Sequence, residues 1–143
     1  MNRLRLLILA AELSLTYNII LLFSVSLNYD WVRSRAAGGG FDSFPMSIRI
    51  IYFFMAVFMG TLMFWVWDKR NGITTIHGFR FATFLALLFS ISTVLQLISR
   101  SSDERWNAIP AAILAITFWV LRSKKISDKL VETSLWRLGE SNP

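Results

Sequence analysis

The sequence has no cysteine and a single histidine, His77. Without cysteine the chain forms no disulfide of its own, offers no thiolate to a metal and performs no thiol redox chemistry. One histidine cannot supply a bis-histidine haem site, and with His77 at the edge of an apolar run no Ser-His-Asp arrangement can be drawn. The nine acidic residues are scattered, and none clusters with His77 at metal-ligand spacing. No lysine interrupts the apolar runs, which removes a buried Schiff-base amine. The run Gly38-Gly39-Gly40 lacks the lysine and the strand–helix setting of a phosphate loop. These absences predict no cofactor, no metal and no catalysis by this chain alone.

Of the 143 residues, 55% are hydrophobic and only 17% charged. The charges avoid long stretches of the chain, and aromatic residues gather near the ends of those stretches. This is the composition of a multi-pass membrane protein. The net charge of +6 does not point to nucleic acid, because the basic residues flank apolar spans instead of forming one soluble patch. The expected partner is the lipid bilayer. Arg3 and Arg5 followed by an apolar run resemble a signal peptide. That run, however, is long, contains Glu12 and Asn18, and ends at Asn28-Tyr29-Asp30 without a small-x-small site. It reads as an uncleaved transmembrane helix.

Four spans emerge, at about residues 6–27, 48–67, 79–99 and 108–121. They predict an all-α, four-helix transmembrane bundle, up-down-up-down, over residues 1–122. A helix rises ~1.5 Å per residue and the hydrocarbon layer is ~30 Å thick, so the first three have ample length. The fourth is short and is expected to recruit Trp106 at one interface and Arg122 at the other. Asn107 is expected to cap it, with Pro110 in the first turn. The alternative start is Ser101 with Glu104, a capping-box spacing. The tail, residues 123–143, reads either as a basic amphipathic helix on an anionic leaflet or as an ordinary basic tail.

Four spans put both termini and the middle loop on one side. That side carries Arg3, Arg5, Lys69, Arg70, Arg80, Arg122, Lys124, Lys125, Lys129 and Arg137. The other carries Arg33, Arg35, Arg49, Arg100 and Arg105. The excess predicts cytoplasmic termini in a plasma membrane. The long first loop, residues 28–47, contains the Ala36–Gly40 run as a hinge or slack. Its aromatics Tyr29, Trp31, Phe41 and Phe44 are expected to float in the interface, the alternative being a lid over a pocket.

Polar residues inside spans are the candidate site. Glu12, Thr16 and Ser26 share one stripe of the first helix, and Ser14, Asn18 and Asn28 share the opposite one. A helix polar on two faces belongs inside a bundle or between subunits. Arg80 and His77 open the third span on the same membrane side as Glu12. The structural reading is a Glu12–Arg80 pair; the functional one is a desolvated acid that exchanges a proton with a substrate. Ser92, Gln96 and Ser99 form a row on the third span, expected to bridge helices and otherwise to bind a polar ligand. Arg49, one turn into the second span, reads as an anchor or as a contact for an anionic headgroup. Ala56 and Gly60 have the small-xxx-small spacing of close helix packing. The Met55, Met59, Met63 stripe is expected to be packing.

The words Leu9-Ala10-Ala11-Glu12 resemble the first span of small multidrug-resistance transporters. That resemblance covers one helix, and the chain is longer and its later spans do not match. It implies that Glu12 is the proton- and cation-binding carboxylate of a dimer. The segment from Gln96 to Arg105, followed by a last apolar helix, is similar to hairpins of uncharacterised small four-helix bacterial membrane proteins, including DoxX-like ones. It covers about 25 residues and implies an architecture without an activity. Two functional expectations follow. One is an accessory or assembly subunit of a membrane complex, partnered by another membrane protein or by a second copy. The other is a small proton- or cation-coupled transporter using Glu12.

Overall fold

A computed structural model describes residues 3–70 and 78–122. Among these residues the chain is helical, without a strand. It comprises α1 (Arg3–Ser26), two short 3-10 turns (Asp30–Arg35 and Ala37–Gly39), α2 (Met46–Arg70), α3 (Gly78–Leu97), the single turn α4 (Ser102–Arg105) and α5 (Ala108–Leu121). Three of these helices are long and apolar enough to cross a membrane: Arg3–Ser26, Met46–Lys69 and Arg80–Leu97. The chain is therefore a membrane protein. The basic tail and His77 lie outside the described residues.

The helices form two pairs, α1 with α2 and α3 with α5, joined chiefly along α1 and α5. The core repeats at helical spacing. Ile8, Ala11, Leu15, Leu22 and Val25 of α1 meet Ala56, Met59, Leu62 and Val66 of α2, and Leu85, Phe89, Leu114 and Phe118 close the other side. Large side chains on the outer faces, such as Phe54, Phe64, Ile91 and Leu95, stay exposed. In a bilayer those faces meet lipid, and association rests on close packing and hydrogen bonds more than on expulsion of water.

Polar residues within the helices are mostly satisfied locally. The hydroxyls of Ser14, Ser90, Thr93 and Thr117 donate to the carbonyls four residues back at 2.7–2.8 Å. This back-bonding removes the cost of a bare hydroxyl in hydrocarbon. The inward stripe of α1 is the one with Ser14, Leu21 and Val25, all buried, whereas Thr16 and Phe23 of the other stripe are exposed. The small-xxx-small spacing does not act as a pair. Ala56 is buried in the core, but a Cβ added at Gly60 would meet nothing within 4 Å. Among the described residues Gly60 is thus not a point of close helix approach.

Helix ends explain the boundaries. Asn28 takes φ 60°, and Asn28 N–H and Tyr29 N–H donate to the carbonyls of Val25 and Ser24. That is a Schellman closure with asparagine in the left-handed position. At the α4 start Ser101 is the cap: its Oγ accepts from Glu104 N–H at 3.4 Å. Asn107 makes no capping bond, contrary to expectation, because its side chain is engaged elsewhere. Helical bonds nevertheless continue through the junction, from Asn107 N–H to Glu104 and from Ala111 N–H to Asn107. The near-continuous stretch from Ser102 to Leu121 is about 30 Å long at ~1.5 Å per residue. Pro110 sits in the first turn of α5, where its missing N–H costs nothing.

At the other end α2 runs past the expected boundary at Trp67 to Arg70. Lys69 is 6% exposed and its Nζ lies 5.3 Å from the centre of the Trp65 ring. The aromatic face explains how a lysine is tolerated there. Arg122 similarly lies over Trp119, 4.2 Å from the ring centre.

Candidate functional site: a capped polar cavity

The loop between α1 and α2 is a fitted cap. Val32, Ala36 and Phe44 are buried. Phe44 stacks on Tyr52 with ring centres 6.5 Å apart, and Phe41 lies 6.0 Å from Phe44. Only Tyr29 and Trp31 behave as exposed interfacial aromatics. The loop's return is fixed by Asn28, whose Oδ1 accepts from Phe44 N–H at 2.8 Å. Nor is the glycine run slack. Gly38 and Gly39 have φ of 73° and 68°, and a Cβ on Gly39 would meet Ser101 Cβ at 3.3 Å. Ala37, at φ 52°, holds the same left-handed conformation without glycine's freedom.

Three bonds tie this cap to the α3–α5 corner. Ser101 Oγ–H donates to the Ser34 carbonyl. Gly38 N–H donates to Glu104 Oε2 at 3.0 Å, and Ser99 Oγ–H donates to the same carboxylate oxygen. Asn107 Nδ2 donates to the Arg35 carbonyl at 2.8 Å, while its Oδ1 accepts from Tyr17 O–H at 2.7 Å. One buried amide therefore fastens α1, α5 and the cap together. A single ion pair, Arg33 with Asp30 at 2.6 Å, lies within the cap itself.

Beneath the cap lies a cavity of about 120 Å³. Its polar lining comes from Asn18, Arg35, Tyr52, Ser92, Gln96, Glu104 and Asn107. Ligand pockets for organic molecules usually run to ~300–1,000 Å³, so this one suits an ion, waters or a very small solute. Gln96 Nε2 donates to Ser92 Oγ at 3.1 Å on the same helix. Gln96 Oε1 is buried and has no partner among the described residues. The Ser92–Gln96 row therefore bonds along α3 and turns toward the cavity. The expected bridge between helices comes instead from Ser90, which accepts from Trp119 Nε1 at 3.2 Å. Arg35 and Glu104 line the same cavity without an ion pair between them. Among the described residues no three His, Asp or Glu side chains gather for a metal.

Of the six residues singled out from the sequence, Asn18, Ser92 and Gln96 come together here. Glu12, Thr16 and Arg80 do not line the cavity. Glu12 is half-buried on α1, with its carbonyl accepting from Thr16 Oγ1 at 2.9 Å, and Arg80 is exposed at the start of α3. Sequence reasoning missed Glu104, Asn107, Arg35 and Tyr17 as parts of one site. The one available signal was the Ser101–Glu104 capping-box spacing. No family model matches the chain, and no curated protein or solved structure shows significant similarity to it.

Proposed function

We propose that this chain is a four-span, multi-pass integral membrane protein of the plasma membrane with both termini cytoplasmic. It works without catalysis of its own, as an accessory or assembly subunit of a membrane complex. The observation that carries this reading is the fastened cap. Residues from three separate segments close one end of the bundle over a cavity too small for an organic substrate. Such a device holds a shape, while the long outer faces of α2 and α3 remain available to lipid and to partners. The fourth span is the Ser102–Leu121 stretch, and the excess of basic residues at the end away from the cap supports the orientation.

A second reading, a proton- or cation-coupled transporter, is supported by Glu12 within α1 and by the polar cavity above it. The two readings separate in proteoliposomes. Under the accessory reading the chain alone gives no pH-driven solute flux above empty vesicles, and Glu12→Gln and Glu104→Gln match wild type. Extracted from its own membranes in mild detergent, it migrates in a complex of fixed stoichiometry. A monomeric chain with pH-dependent flux abolished by Glu12→Gln would establish the transporter instead. If only Glu104→Gln abolished it, the capped cavity would be the coupling site.

A further inference from the structure

Two apolar grooves on the outside of the bundle share an unusual construction. One runs between α1 and α2, about 400 Å³, walled by Phe23, Leu27, Ile50, Phe53 and Phe54, with Arg49 at its head. The other runs between α3 and α5, about 530 Å³, walled by Thr93, Leu97, Ala108, Ile109 and Ala112, with Arg105 at its head. Each arginine is anchored through Nε. Arg49 Nε donates to the carbonyl of Ser26, the last residue of α1, at 2.8 Å. Arg105 Nε donates to the carbonyl of Ser99, just past the end of α3, at 2.9 Å. Unpaired carbonyls at helix C-termini favour a cation there. Neither arginine forms an ion pair among the described residues. A guanidinium fixed through Nε still has the four N–H groups of its Nη atoms, a fork that matches phosphate oxygens.

Each groove runs along at least one helix long and apolar enough to cross a membrane, and both open at the capped end; on the four-span reading proposed above, their heads sit in one leaflet. An apolar channel within hydrocarbon, headed by a fixed cation at its edge, matches one occupant: an acyl chain joined to a phosphate. We propose that Arg49 and Arg105 head two sites for anionic phospholipid, each binding the phosphodiester through the Nη groups and one acyl chain in the groove. The groove between α1 and α5 is larger, with Arg35 among its lining residues. Arg35 makes no side-chain hydrogen bond among the described residues, so no fixed cation heads that groove.

The test uses the full chain in mild detergent, with phosphatidylglycerol titrated and bound lipids counted by native mass spectrometry. Wild type retains two tightly held lipids. Arg49→Gln and Arg105→Gln each lose one, with about tenfold weaker binding at that site, as expected for a charged hydrogen bond. Ala112→Phe fills the α3–α5 groove and Leu27→Trp the α1–α2 groove. Each abolishes one site with its arginine intact, which keeps the test valid if an arginine variant fails to fold. Glycerophosphoglycerol, the same phosphodiester without acyl chains, does not displace the lipid. Unchanged lipid binding in the groove-filling variants would overturn the proposal. So would displacement by glycerophosphoglycerol at lipid-like concentrations.

Discussion

Replacing Asn107 by Leu is expected to destabilise the protein by about 2–4 kcal/mol and to loosen the cap. The side chain is 6% exposed and makes two bonds to two different segments, to Tyr17 O–H and to the Arg35 carbonyl. Leucine keeps the volume and removes both bonds. A phenol and a carbonyl are then left without partners near the edge of the hydrocarbon, each costing ~1–3 kcal/mol if water cannot reach it. Tyr17→Phe removes only the first bond, with an expected cost of about 1 kcal/mol. In the Asn107→Leu background the same Tyr17 substitution is expected to cost nothing and to regain part of the loss, since it removes the phenol left unpaired. Unfolding titrations with sodium dodecyl sulfate in mixed micelles read the stability. Hydrogen exchange over residues 30–44 reads the cap. Exchange that stays slow in Asn107→Leu would show that the cap does not depend on this amide.

Phe118→Ala is expected to cost about 2–4 kcal/mol. Phe118 is fully buried where α2, α3 and α5 converge. Its ring stacks on Phe89 with centres 5.6 Å apart, and Trp65 lies 5.8 Å away and in turn meets Phe81. In soluble cores such a truncation costs ~3–5 kcal/mol, from lost transfer energy plus the cavity. Here the unfolded helices remain in lipid, so the transfer part shrinks while the lost contacts remain. Phe84→Ala is the control, with the side chain 57% exposed on the outer face of α3. It is expected to change stability by less than about 0.5 kcal/mol. Equal costs for the two would mean that packing at Phe118 contributes no more than contact with lipid does.

The cap corner at Asn107 and the aromatic core at Phe118 differ in how legible they are from sequence. The long helices are written in the apolar runs, and their boundaries fall within a few residues of the expectation. Those runs carry very little charge, and helix ends follow local chemistry such as Asn28 or Pro110. The direction of α1's polar stripes is less local. Only packing decides that Asn18 faces the cavity while Thr16 faces out. Least legible is the cap. A sequence Ala-Ala-Gly-Gly-Gly reads as slack, and what makes it rigid are partners at Ser101, Glu104 and Asn107, more than 60 positions away. Asn107 illustrates the problem. Its position before Ala108 predicts a helix cap, but two distant groups compete for the same amide, and the tertiary bonds win. Lys69 was hidden for a related reason. A lysine after an apolar run reads as an interfacial charge, whereas here it lies buried beside the Trp65 ring.

The candidate site shows the same division. Polar spacing along α3 puts Ser92 and Gln96 on one face; both line the cavity, and Asn18 joins them from α1. The charged members of the cavity, Arg35 and Glu104, come from loop and turn segments, where periodicity carries no information. Glu12, the most conspicuous acid in the sequence, lies apart from the cavity, so any coupling role for it would run through a different site.

If the chain has four spans with both termini cytoplasmic, as proposed, the cap closes the outer end of the bundle. The absence of cysteine makes this directly measurable, because any introduced thiol is the only one. Asp42→Cys places it on the exposed part of the cap, Asn2→Cys at the N-terminus and Lys125→Cys in the basic tail. A membrane-impermeant maleimide added to intact cells is predicted to label Asp42→Cys alone, and all three once the membrane is opened. Labelling of Lys125→Cys from outside while Asn2→Cys stays protected would mean three spans. Labelling of both termini from outside, with Asp42→Cys protected, would invert the orientation.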